Sequence, residues 1–223
     1  MSAHFTPALF SYLRELKANN TREWFLANRE RYVDGVEAPM LRFIRDLAPH
    51  MREISPAILV DARRMGGSMY RIYRDTRFSA DKSPYKTHVA AHFRHEQKKK
   101  VPSVPGFYLH LGPGECMGGG GIYHADMPTL TRIRLGIAQN TRGWEAVKKT
   151  GIEIEGDRLT RAPAGFDASH PLIEDLRLKD FYGMTTFTQK EVCGPDFLAR
   201  YAACCREVSP LVAFLTRSLG WRW

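Results

Sequence analysis

The sequence predicts an α+β fold in a single domain, residues 1–223, with a central, mostly antiparallel or mixed sheet flanked by N-terminal and C-terminal helices. Three features point there. Apolar residues recur at helical spacing over residues 5–54 and again in the last thirty or so. Short strand-like runs bounded by Gly and Pro fill residues 57–124. Neither a repeat nor a low-complexity tract divides the chain, and a mixed part follows over 126–223. A chain of 223 residues, 43% hydrophobic and 26% charged, can bury a core without staples, and its composition excludes disordered and collagen-like classes.

In chain order, Thr6 and Pro7 open a helix whose Leu9, Phe10, Leu13 and Leu16 share a face. Asn20 is the expected cap of a second helix, with Glu23 as its capping-box partner, and Trp24, Phe25, Asn28 and Tyr32 follow at helical spacing. A third helix is expected from Pro39, carrying Met40, Phe43, Ile44, Leu47 and Met51 until Ser55 and Pro56 end it. Residues 57–60 read as a short strand and 74–87 as a loop, while 69–73 show no clear period. Strands follow at 88–93, 107–111 and 116–123, the last interrupted by four glycines, with a turn at 112–114. Asp126 caps a helix carrying Leu130, Ile133 and Ile137. Residues 152–155 and 158–161 flank Gly156 and Asp157 as a hairpin; a helix at 172–178 and a strand at 181–187 come next. Pro195 opens a helix with Phe197, Tyr201 and Cys204, and Ser209-Pro210 restarts it with Leu211, Phe214 and Leu215.

The net charge is +9, and +5 of it falls in residues 57–127. Such a balance favours polyanions and phosphorylated ligands. Cys116, Cys193, Cys204 and Cys205 show no framework spacing and read as reduced thiols of a cytoplasmic protein. No secretory leader is visible at the N-terminus, and no apolar run approaches the ~18 residues of a membrane span, so no membrane partner is expected.

The informative segment is Y-R-I-Y-R-D-T-R-F-S-A-D-K-S-P-Y-K-T-H, residues 70–88, with net charge +3. Arg71, Arg74 and Arg77 recur every third residue; guanidinium forks suit phosphate or carboxylate, and Lys82 and Lys86 add point charges. Tyr85 and Tyr73 offer a hydroxyl or a ring, and Ser83-Pro84 fixes the path before them. Asp75 and Asp81 orient the arginines, or serve as a catalytic base. The same Arg and Asp residues also fit a salt-bridge network that pins a long loop.

Residues 19–25 (N-N-T-R-E-W-F), 71–87 (R-I-Y-R-D-T-R-F-S-A-D-K-S-P-Y-K-T), 105–111 (P-G-F-Y-L-H-L), 119–123 (G-G-G-I-Y) and 165–172 (G-F-D-A-S-H-P-L) follow one another in order, with L-K-D-F after them. Together they resemble the bacterial and fungal family called domain of unknown function 2461, over nearly the whole chain from Phe5 to the last helix. The resemblance implies one domain and makes Arg74, Asp75, Arg77, Phe78, Asp81, Lys82, Pro84, Tyr85 and Lys86 motif positions. It assigns no activity, and so leaves open whether the chain is an enzyme.

Gly119 and Gly120 lie in a glycine run that fits a strand bulge or close backbone approach, and whose free N–H groups can help hold an anion. It is not a P-loop, because no Lys-Ser or Lys-Thr follows. His88 and His92 would share a strand face, with His110 across from them; hydrogen-bonded polar histidines are the expected outcome and no metal is implied, but these three would be the ligands of a transition metal. G-x-S-x-G is absent, and no cofactor is implied. The leading expectation is therefore a protein that binds an anionic small molecule or phosphorylated ligand through Arg71, Arg74, Arg77, Lys82, Tyr85 and Lys86. A nucleic-acid module using the same loop with Lys98, Lys99 and Lys100 is the alternative, as is an interaction scaffold in which the motif is structural.

Overall fold

The computed structural model describes residues 3–223. The N-terminal helices are α1 (Pro7–Ala18), α2 (Arg22–Ala27), α3 (Arg29–Tyr32) and α4 (Ala38–Ile54). A π-helical turn, Val33–Glu37, splices α3 into α4, so the helix expected from Pro39 begins well before it. Pro39 cannot donate a backbone bond; Ala38 N–H just ahead of it reaches back to Val33 O, and the wider turn keeps the helix running. Thr21, not Asn20, caps α2, accepting from Trp24 N, because the Asn20 amide is committed elsewhere.

Four antiparallel strands form one sheet in the order β1 (Val89–Arg94), β2 (Gly106–Gly112), β3 (Glu115–Ile122) and β4 (Phe181–Thr186). The fold is thus α+β, as the sequence predicts. The β2–β3 turn passes through Gly114 at φ +86°, a conformation that favours glycine. The outer edge of β1 is covered by irregular chain: Ile58 bridges His95, Met69 bridges Ala91, and Tyr70 N–H bonds Ala90 O. Residues 57–60 therefore supply an edge contact and not a full strand.

The remaining helices are α5 (Met127–Gln139), α6 (Thr141–Lys149), α7 (Ile173–Leu176), α8 (Gln189–Val192) and α9 (Phe197–Ser218). Asp126 caps α5 as expected, accepting from Thr129 N. α9 runs unbroken through Pro210; the Arg206 carbonyl that Pro210 cannot serve accepts from Ser209 Oγ at 2.8 Å. The hairpin expected around Gly156-Asp157 does not form. Its arms turn instead to β4 and the segment before it, Glu155 bridging Tyr182 and Arg158 bridging Leu178.

One continuous core joins these layers. Val89, Ala91, Phe93, Phe107, Leu109 and Leu111 are buried on the sheet's inner face, against which α9 packs, with α4, α5 and α6 contacting α9 in turn. Added Cβ atoms at Gly118 and Gly120 would lie 2.7 Å from Tyr201 Cε2 and 2.9 Å from Val212 Cγ2, so the glycine run lets α9 approach β3 closely. The opposite face carries His92, Arg94, Tyr108 and His110, alternating with the core residues.

Candidate functional site

The motif segment folds back on itself. Tyr73 bridges Tyr85, Arg74 N–H bonds Pro84 O, and Lys86 N–H bonds Ile72 O. Its tip carries two ion pairs. Arg74 meets Asp81 and the Ser83 hydroxyl, and Arg77 forks onto Asp75 at 2.7 and 2.9 Å. Hydrogen bonds from Ser83, then Arg74, hold the Asp81 carboxyl well below the usual range; Arg77 does the same for Asp75. Lys82 Nζ donates to Thr76 O at 3.0 Å. Arg74, Arg77 and Lys82 are thus partnered within the tip, and Arg71 and Phe78 are exposed. Tyr85 is buried and stacked on Phe25 with ring centroids 4.1 Å apart, so it packs against α2.

The base of the motif leads somewhere else. Lys86, the last cation, lines a cavity of about 640 Å³ on the sheet face away from α9, together with Tyr70, His88, His92, Arg94 and Tyr108. Backbone of Gly106, Gly120 and Gly121 forms its floor, and Met117, Tyr182 and Met184 its far side. Among the described residues lining it there is no Asp or Glu. Gly120 thus borders this cavity, whereas a Cβ added at Gly119 would run into Gly183 O and Met184 Sδ of β4.

Tyr70, His92 and Arg94 close a ring of hydrogen bonds. Arg94 Nε donates to His92 Nδ1 at 3.0 Å and Arg94 Nη2 to the Tyr70 hydroxyl at 2.9 Å, while that hydroxyl meets Nδ1 at 3.1 Å. An Nδ1 that accepts from guanidinium carries no proton, so the neutral imidazole keeps its hydrogen on Nε2. Burial, then Arg94 and Lys98, push His92 down to about 3; burial, His110 and Lys86 push His88 down to about 4. Both rings are neutral near pH 7.

Lys86 Nζ donates to Arg71 O at 3.0 Å and sits over the Tyr70 ring, 5.1 Å from its centroid. Burial first and Arg71 second lower its affinity for a proton. Among the described residues neither Lys86 nor Arg94 pairs with a carboxylate. His88 and His110 stack at 4.2 Å and His92 Nδ1 is occupied by Arg94, so the three imidazoles do not converge; among the described residues no group of three or more His, Cys, Asp or Glu is disposed to hold a metal ion.

Arg94 is the site residue that the sequence reading missed. Its signal is the alternation along β1, where His92 and Arg94 interleave with buried Ala91 and Phe93. At the rim, His124 takes φ +51°, held by its N–H on Asp180 Oδ1 at 2.7 Å.

Fold and site together define an α+β protein with a basic, aromatic cleft on the open face of an antiparallel sheet. The chain belongs to the family described as "Conserved hypothetical protein (DUF2461)", whose model matches residues 8–214. No curated protein and no solved structure matches it. Among the described residues no helix is long and apolar enough to cross a membrane.

Proposed function

We propose that the protein binds an anionic ligand, phosphorylated or carboxylated, in the sheet-face cleft. One observation carries this: Lys86 and Arg94, both partly buried, face a cavity that has no acidic lining residue among those described. A half-buried cation held only by neutral acceptors gains most from an incoming anion. His92 Nε2–H adds a neutral donor, and Tyr70 holds the guanidinium plane in place. The motif's contribution to binding is then Lys86, with Arg71 behind it. Arg74, Arg77 and Lys82, with Asp75 and Asp81, shape the hairpin that delivers Lys86, which supports a structural duty for the tip.

Calorimetric titration with pyrophosphate tests the reading. Lys86→Gln and Arg94→Gln should each weaken binding by roughly ten- to a hundredfold, the usual worth of a charged hydrogen bond. Arg77→Gln should leave it unchanged. Loss of binding in Arg77→Gln with retention in Arg94→Gln would move the site to the loop tip.

A nucleic-acid reading is supported by one further placement. Lys98 lies close enough to depress His92, and exposed Lys99 and Lys100 extend the positive surface beyond the cleft. It predicts affinity for single strands that falls linearly in log–log form with salt.

A further inference from the structure

We propose, resting on the anion-binding reading above, that the cleft takes a phosphate ester that also bears a flat aromatic base, of the nucleoside phosphate class. The ligand lies across bare glycine backbone, with its phosphate at Arg94 and its base at Tyr182.

The strand register sets this arrangement. Arg94 pairs with Gly106, Gly106 with Gly121, and Gly121 with Tyr182. One cross-strand row therefore begins with a guanidinium, ends with a phenol ring and has no side chain at its two middle positions. Three interstrand steps separate its ends, roughly 14 Å. That span suits a ligand longer than an inorganic anion. The two glycines are fixed by the strands themselves: a Cβ on Gly106 would collide with Phe93 O, and Gly121 has φ +145° with Phe181 O in the way. These two positions therefore stay free of a side chain of their own.

The neighbouring row, His92–Tyr108–Gly119–Met184, places a ring and a thioether beside that floor. Tyr123 stands at the rim, 64% exposed, edge-on to Tyr182 with centroids 5.8 Å apart. Phenol rings and thioethers form the kind of wall that a flat π-system contacts well. The cationic residues, Lys86 and Arg94, lie at the β1 end, and Tyr182 and Met184 at the β4 end. A ligand with one charged and one flat end matches this polarity, while a small anion would leave the β4 half unused. The cavity of about 640 Å³ falls in the usual range of small-molecule sites.

The test compares nucleoside monophosphates (AMP, GMP, CMP and UMP) with ribose 5-phosphate and pyrophosphate, titrated calorimetrically into the full chain. At least one nucleotide should bind roughly tenfold or more tighter than ribose 5-phosphate, the scale of one base–aromatic stack. Tyr182→Ala should remove that gain and leave ribose 5-phosphate affinity unchanged, and Met184→Ala should reduce it if Tyr182→Ala fails to fold. Nucleotides that bind no better than ribose 5-phosphate, or a gain that survives both variants, would overturn the ring assignment while pyrophosphate binding keeps the anion site. Absence of binding by every probe would remove both.

Discussion

Two kinds of arginine stand within one stretch of chain, and what separates them is the company each keeps. Arg74 and Arg77 face carboxylates placed a few residues away; Arg94 faces an imidazole and a phenol. The same environment that leaves Arg94 without a counterion keeps His92 and His88 neutral, because a protonated imidazole there would meet burial and other cations. This gives a stability signature. The unfolded histidines take up protons near pH 6.5, whereas the folded ones resist until about 4 and about 3. Their contribution is therefore complete above pH 6.5 and is lost as the pH falls, down to about 4 for His88 and about 3 for His92. Each adds a slope of at most about 1.4 kcal/mol per pH unit. Urea midpoints measured at pH 7.5, 6 and 5 should decline over this range, and His88→Gln should flatten the decline. A midpoint that stays level to pH 5 would mean that the imidazoles are solvated and free to charge.

At the scale of elements, the sequence motifs turn out to be one joint. The side-chain amide of Asn20 donates to Tyr85 O at 2.9 Å and accepts from Tyr85 N at 3.0 Å, standing in for a strand partner. Phe25, from the same early motif, stacks on Tyr85. The helix α1–α2 junction thus clamps the motif hairpin just before Lys86 enters the cleft. Asn20→Ala removes both bonds and leaves two backbone groups of a buried residue unsatisfied, so it should cost about 2–3 kcal/mol in denaturant unfolding. It should also weaken anion binding, whereas Arg77→Ala, at an exposed pair, should alter neither. A variant with full stability would show the clamp to be dispensable. These motifs were legible as residues but not as a contact, because nothing local links position 20 to position 85. Strands β1, β2 and β4 were legible for the opposite reason: their alternation and Gly/Pro boundaries are local. The 152–161 segment has the turn chemistry of a hairpin, yet its partners lie at 178–182, so long-range pairing decided it.

Across the whole molecule, the sheet serves two masters. Its inner face carries the stability of the fold through α9, and its outer face holds the cleft, with β3 shared between them. The glycine run reconciles the two by having almost no thickness. Gly118 and Gly120 admit α9, while the backbone of Gly120 and Gly121 floors the cavity. Because α9 also contacts α4, α5 and α6, a push on it from β3 reaches every layer. Gly120→Val places its Cβ 2.9 Å from both Phe107 Cδ1 and Val212 Cγ2, side-chain atoms of two fully buried core residues. Overpacking of this kind costs about 1–3 kcal/mol. For a chain of this length that lowers Tm by about 2–4 °C per kcal/mol. Gly35→Ala is the matched control: it lies in the π-helical turn with nothing within 4 Å of an added Cβ, and alanine is the better helix former by up to about 1 kcal/mol. Thermal scans should therefore move in opposite directions, down for Gly120→Val and level or up for Gly35→Ala. If Gly120→Val melts with the unmodified chain, α9 is not held against β3 at van der Waals distance, and the two-sided role of the sheet falls with it.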